Sequence, residues 1–306
     1  MSLNIDGWIQ DTSGDPDFSS GIYKFGLPSK PEEPPVKLGL KNEVQEDEKE
    51  GQFYPTLEDG PQRLDNVVIG PFQPVNLLPF YWFFGAASDS DGTKTITHTD
   101  GTARKPTISC YQRRSNMLRQ GEQICINSIS IEHAFGHTKC TLTGKGLNFE
   151  AAGETLTALN QSFPSSISSV FNVIKTCTWD SGDIVLLNFK FQGMHEIDTF
   201  IDSTLKNIAM DELKVQKGVF TLQLVDNEYA DFEADFLAGN KKTLVFKVGK
   251  IDASTHYFQI SATLCKIENA APVAKFGEST IWTANIKCQE VTITGIDGVA
   301  NSFFDL

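Results

Sequence analysis

His133, His137 and Cys140 are the residues whose types and spacing come closest to a metal site. Imidazole and thiolate are ordinary zinc donors, and a structural site takes four of them. A fourth ligand is missing locally and the two histidines straddle a predicted hairpin turn, so the trio predicts packing instead of metal. Asp89-Ser90-Asp91-Gly92 begins like a calcium loop. The alternating oxygen ligands stop there, and no Glu occupies the twelfth position. Asp11, Asp15 and Asp17 would meet at a cation only if the fold happened to gather them. Gly144-Lys145-Gly146 lacks the frame of a phosphate loop and reads as a turn. Serines are abundant, but no nucleophile elbow appears and the histidines have no recognisable triad partner. Paired carboxylates of the glycosidase kind are placed by a fold, not by spacing. The chain reads as a non-enzyme without metal or cofactor.

The elements that hold these residues are strands. From Cys125 to Asn148, Ile129 and Ile131 share one parity, as do Cys140 and Leu142, with polar residues between them. A two-residue period marks a strand with one buried face. Ala134-Phe135-Gly136-His137 interrupts it as a hairpin turn. The same alternation appears at Val185, Leu187, Phe189 and Phe191; at Phe220, Leu222 and Leu224; and at Leu244, Phe246 and Val248. It recurs at Phe258, Ile260, Ala262 and Leu264, at Trp282, Ala284 and Ile286, and at Val291 and Ile293. Thr107–Tyr111 also reads as a strand, and Val67–Ile69 as a short one closed by Gly70-Pro71. Ser88–Thr102 reads as a loop or wet hairpin. Residues 150–182 fit short helices or irregular strands. Met194, Ile197, Ile201 and Leu205 suggest one helical face.

A second helix is predicted between Asn76 and Gly85. Asn76 suits the N-cap, Pro79 the first turn, and Gly85 a left-handed stop. Leu77, Tyr81 and Phe84 fall on one side and should pack on the sheet, although so short an aromatic run also fits a buried strand. Many short strands with polar turns predict a mainly β protein, an antiparallel sandwich or barrel with a flanking short helix.

Residues 1–62 differ from the rest. They hold seven prolines and the acidic run from Glu43 to Glu50, so a long extended arm and loop are predicted instead of continuous sheet. Trp8, Ile9, Tyr23, Phe25, Phe53 and Tyr54 are scattered through this arm like anchors for another surface. With Glu43, Glu46, Asp47 and Glu48 they form the predicted assembly interface. Residues 63–306 would form the body.

Bulk composition narrows the function. With 39 acidic against 26 basic residues the net charge is −13, which opposes tight binding to a phosphate backbone. No apolar run approaches the roughly 18 residues of a membrane helix, so no membrane partner is expected. The start has no signal-peptide pattern, predicting synthesis in a cytoplasm. Six cysteines without a CxxC pair suit a reducing compartment, where they would act as small buried hydrophobes.

Several blocks together resemble tail tube proteins of long-tailed bacterial and archaeal viruses. Gly70-Pro71, the Leu77-to-Phe84 element and Gly85 look like that family's strand, short helix and "LG". Thr97-His98-Thr99 and Lys105-Pro106-Thr107-Ile108-Ser109 look like its "H-T" loop and strand entry. Cys125–Asn148 resembles its paired strands ending in glycine. The resemblance implies a virion tail subunit that assembles with itself into six-fold rings, stacked as a hollow conduit. Other tail proteins would cap its ends, and viral DNA would pass through without specific binding along a lumen of net negative potential. The first 62 residues and an insertion at 193–215 exceed what the family needs. Two further readings share the fold class: a β-sandwich binding module for glycans or receptors, and the inner tube of a contractile system.

Overall fold

A computed structural model describes residues 6–11, 26–28, 36–47, 56–98, 107–114, 117–134, 136–146, 148–151, 171–194, 199–201, 208–210, 217–225, 229–250, 255–273 and 281–297. The first half contains strands β1 (Asp6–Asp11), β2 (Gly26–Pro28), β3 (Val36–Asp47) and β4 (Thr56–Pro74), then helix α1 (Leu78–Phe84). Next come β5 (Gly85–Ser90), β6 (Thr93–His98), β7 (Thr107–Arg114), β8 (Met117–Ala134), β9 (His137–Gly146) and β10 (Asn148–Ala151). The second half has β11 (Val173–Trp179), β12 (Gly182–Asp183), β13 (Leu186–Met194), β14 (Thr199–Ile201), β15 (Ile208–Met210) and β16 (Lys217–Val225). Helix α2 (Tyr229–Ala238), β17 (Lys242–Gly249), β18 (Tyr257–Val273), β19 (Ile281–Cys288) and β20 (Glu290–Ile296) complete it.

The expected mainly β architecture is present, as two antiparallel sheets. The first runs β3-β4-β9-β8-β13-β16-β19 and ends on the C-terminal half of β18. The second runs β5-β6-β20, the N-terminal half of β18, then β17 and β11. The N-terminal half of β8 carries β7 on one side and β10 on the other, with β1 outside β7. β18 joins the sheets. It bends at Leu264, whose backbone is left-handed (φ 51°), and Leu264 is exposed instead of following the inward parity expected of it. Switching sheets at a bend is how strands turn the corner of a sandwich.

Helix α1 forms where expected, but it does not flank the sheet on one face. All seven of its residues are buried, which is the position of a helix apolar on every side. Phe80 meets Phe258 of the second sheet at 5.0 Å between ring centroids. Phe83 lies over Gly193 of the first sheet, where an added Cβ would come within 2.6 Å of its ring. The helix therefore fills the layer between the sheets. Gly85 ends it in the left-handed conformation (φ 94°), its N–H bonded to the Tyr81 carbonyl.

Several local expectations are overturned. The strand at Val67–Ile69 does not stop at Gly70-Pro71; β4 bulges there and resumes pairing at Phe72 with Cys140. Gly144-Lys145-Gly146 lies inside β9, not in a turn. A Cβ on Gly144 would stand 2.6 Å from the Cys125 carbonyl, so close strand approach explains the glycine. Val185 and Leu187 are exposed while Leu186 and Phe189 are buried, because a bulge between Leu186 and Asn188 shifts the parity. The suggested helical face does not hold at Met194, which ends β13, or at Ile201, which belongs to the β14–β15 hairpin; Ile197 and Leu205 lie outside the described residues.

The boundary at residue 62 also falls inside an element. β3 and β4 pair along almost their whole length, and Val36 is fully buried in the core. The acidic run through Asp47 is therefore strand, not loop. Its register partner, a second strand with its own Pro61, supplies hydrogen bonds that composition alone did not reveal.

Candidate assembly interface

The entry of α1 is tied to the far end of the chain. Asn76 Oδ1 accepts from the Leu78 N–H at 3.2 Å, so it caps the helix from one position earlier than predicted, Leu77 being the N-cap residue. The Leu77 N–H donates to Asp297 Oδ2 at 2.7 Å. The other oxygen, Asp297 Oδ1, accepts from Lys94 Nζ of β6 at 2.5 Å. Both side chains of this pair are almost wholly buried, at 3% and 0% exposure. One carboxylate thus satisfies a helix N-terminal amide and a buried cation together. Leu77, Tyr81 and Phe84, the predicted helix-core residues, are all buried.

The predicted interface residues fall on two elements. Trp8 and Ile9 lie in β1, opposite Cys110 and Ser109 of β7. Glu43, Glu46 and Asp47 lie in β3, with Glu46 opposite Leu57 and Asp47 opposite Thr56 of β4. Tyr23, Phe25, Glu48, Phe53 and Tyr54 lie outside the described residues. The pairing of β4 with β9 ends at Leu64 and Gly146, so residues 56–62 of β4 and their β3 partners run on past the sheet as a two-stranded ribbon. Beyond Leu64 the register pairs β4 with β3 alone, although β10, which continues the path of β9, lies close to β4; among the described residues the outer edge of β3 has no register partner. The N-terminal part of β8, with β7, runs past the same end of β9. The ribbon is acidic, with Glu43, Glu46, Asp47, Glu58 and Asp59, whereas the β7–β8 hairpin has Arg113, Arg114 and Arg119. Sequence reasoning singled out the acids but not these arginines.

The residues considered for metal chemistry do not converge. His133 is buried; its Nδ1 hydrogen-bonds Thr138 Oγ1 at 2.9 Å, and its ring stacks on Phe189. Burial, and secondarily the charge of His137, lowers its pKa below the ordinary 6.5. His137 is exposed, and burial pushes the Cys140 thiol well up. Asp89 Oδ1 accepts from the Gly92 N–H at 2.8 Å, and Asp91 and Gly92 have positive φ, so that acidic stretch is the turn of the β5–β6 hairpin. No three such side chains among the described residues could hold an ion.

A cluster that the sequence did not announce lies around α2. Trp179 stacks on Phe232 at 4.8 Å and donates from Nε1 to Asp235 Oδ2 at 2.8 Å. Asn240 also bonds Asp235, and Lys242 reaches Asp180 at 2.5 Å. Burial raises the Asp235 pKa, but these hydrogen bonds and the Lys242 charge outweigh it and hold the carboxyl below its usual range. Phe236, Leu237 and Leu264 are exposed. Next to them, Cys265 and Cys288 hydrogen-bond each other, which lowers the first thiol's pKa and raises the second's.

Comparison with protein-family models finds none that matches this chain, and no curated protein matches it.

Proposed function

We propose that this chain is a structural subunit that assembles with itself into rings and tubes, as the viral tail tube resemblance implies, with the acidic β3–β4 ribbon as a principal contact. The observation that carries the reading is the ribbon itself: it runs on past the last β4–β9 pair with a concentration of carboxylates, and among the described residues the outer edge of β3 has no register partner. Open edges are templates for pairing with another chain, and charge decides which chain is accepted. A net charge of −13 would keep like surfaces apart. The β7–β8 hairpin, which carries Arg113, Arg114 and Arg119, is the complementary element in this reading. An acidic ribbon on one copy meeting a basic hairpin on the next is a heterologous contact, and such contacts close into rings when the rotation permits. The acidic balance also suits a conduit, because a wall poor in cations does not hold a passing phosphate backbone.

Electron microscopy of the concentrated full chain tests this: rings or tubes are expected, and a monomer at every concentration refutes it. Asn42 and Gln62 are register partners, so joining them through an Asn-Gly turn removes the ribbon while keeping the β3–β4 pairing. That variant should fold with an unchanged circular dichroism spectrum and form no tubes.

A further inference from the structure

We propose that Cys265 and Cys288 are a dithiol that closes into a cross-strand disulfide, stapling the corner at which β18 passes from one sheet to the other. The strand register places them. Lys266 is opposite Lys287 in the β18–β19 ladder, and Thr263 is opposite Glu290 in the β18–β20 ladder. Both ladders keep one count, so the pair between them, Cys265 and Cys288, faces across the corner. Opposed Cα atoms in antiparallel strands are about 4.5–5.5 Å apart, inside the range of about 4.4–6.8 Å that a disulfide spans. Both side chains point to the buried face, in parity with Ile267 and Ile286, and their sulfurs are within hydrogen-bonding reach.

The corner is also where the backbone can adjust. Leu264 is left-handed and Gln289 separates β19 from β20, so although Cys265 pairs with Lys242 and Cys288 with Gly218 on their outer sides, the segment between the two cysteines is not regular ladder. Other cysteines have no such partner. Cys110 is opposite Trp8 and Gly121, Cys125 is opposite Lys145, Cys140 is opposite Ile131 and Phe72, and Cys177 is opposite Phe246.

A small peroxide supplies the oxidant, entering past Cys288, which is only partly covered. The Cys265 thiol donates to the Ala262 carbonyl at 3.3 Å; once that proton is given up, hydrogen bonds from the Cys288 thiol and the Leu244 backbone favour the Cys265 thiolate and make it the nucleophile. It attacks one peroxide oxygen and the O–O bond breaks. The departing oxygen leaves as water with the Cys265 proton, and Cys265 becomes a sulfenic acid. The Cys288 sulfur then attacks the Cys265 sulfur, the S–O bond breaks, and the hydroxyl leaves as water with the Cys288 proton. Two thiols lose two electrons in total and one peroxide becomes two waters.

The test treats the reduced, folded full chain with hydrogen peroxide. Titratable thiols should fall by two per chain, peptide mapping without reductant should link Cys265 to Cys288, and the melting temperature should rise by roughly 5–10 °C, reversed by dithiothreitol. Cys288→Ser and Cys265→Ser should each abolish the linked peptide and the rise. The proposal is overturned if the folded chain keeps all its thiols, if the mapped link joins any other pair, or if the oxidised chain melts no higher than the reduced one. Mapping on the unaltered chain decides the matter even where a variant folds poorly, and none of these readouts depends on ring assembly.

Discussion

Asp297→Ala should be among the most damaging single changes outside the apolar core. It removes the carboxylate paired with Lys94 at 2.5 Å and the acceptor of the Leu77 N–H at 2.7 Å. Both charged side chains are essentially buried, so solvent screening offers little relief. Breaking a buried pair from one side costs about 3–5 kcal/mol. Losing the acceptor of a buried amide costs about 1–3 kcal/mol, overlapping in part with the first loss. A total of about 4–6 kcal/mol follows, a large share of the roughly 5–15 kcal/mol by which domains are stable. At about 2–4 °C per kcal/mol, the melting temperature should drop by at least about 8 °C. Lys94→Met should cost about 3–5 kcal/mol by the same reasoning. The double variant Lys94→Met, Asp297→Asn strands neither charge and keeps an oxygen for Leu77, so it should lie closer to wild type than either single loss. Urea denaturation of wild type, Lys94→Met, Asp297→Asn and this double variant, followed by circular dichroism, measures the coupling. Single variants within 1 kcal/mol of wild type, or losses that simply add in the double, would refute the view that this carboxylate anchors both the helix and the lysine.

Phe84→Ala removes a fully buried ring that meets Phe83 edge-on at 5.0 Å and should cost about 3–5 kcal/mol, with Phe84→Leu much milder, as thermal melts would show. Gly193→Ala drives a methyl into the Phe83 ring and should cost about 1–3 kcal/mol in urea denaturation; an unchanged midpoint would mean that the helix has room to retreat. His133 is held neutral by burial, so the unfolded chain takes up the proton first as pH falls. Its contribution to stability is full above 6.5 and is lost as pH drops towards the lower folded value. His133→Gln should flatten the stability profile below pH 6.5 by at most about 1.4 kcal/mol per pH unit, and a parallel profile in both proteins would remove His133 as the cause. Tubes, if formed through the acidic ribbon and Arg113, Arg114 and Arg119, should dissociate as salt is raised, which light scattering follows.

How much was legible in the sequence depended on the range of the interaction concerned. Two-residue alternation at Ile129, Ile131, Cys140, Leu142, Leu244, Phe246, Val248, Phe258 and Ile260 reported buried strand faces correctly, because burial on a pleated sheet acts residue by residue. The hairpin turn at Gly136 and the stop of α1 at Gly85 were readable for a similar reason: left-handed backbone favours glycine locally. Parity failed at Leu187 and Leu264, where a bulge and a corner shift the pattern; those depend on the partner strand. α1 was legible as a helix but not as one covered on all sides, since the two sheets that enclose it come from residues up to Gly295. Composition misread residues 36–47 and 56–62, because the strand partner that makes an acidic, proline-containing stretch into strand is chosen by register. Asp297 with Lys94, at a separation of 203 residues, and Cys265 with Cys288 carry no local signal at all. Only the folded chain pays the entropy of bringing such residues together, so only the tertiary structure could pair them.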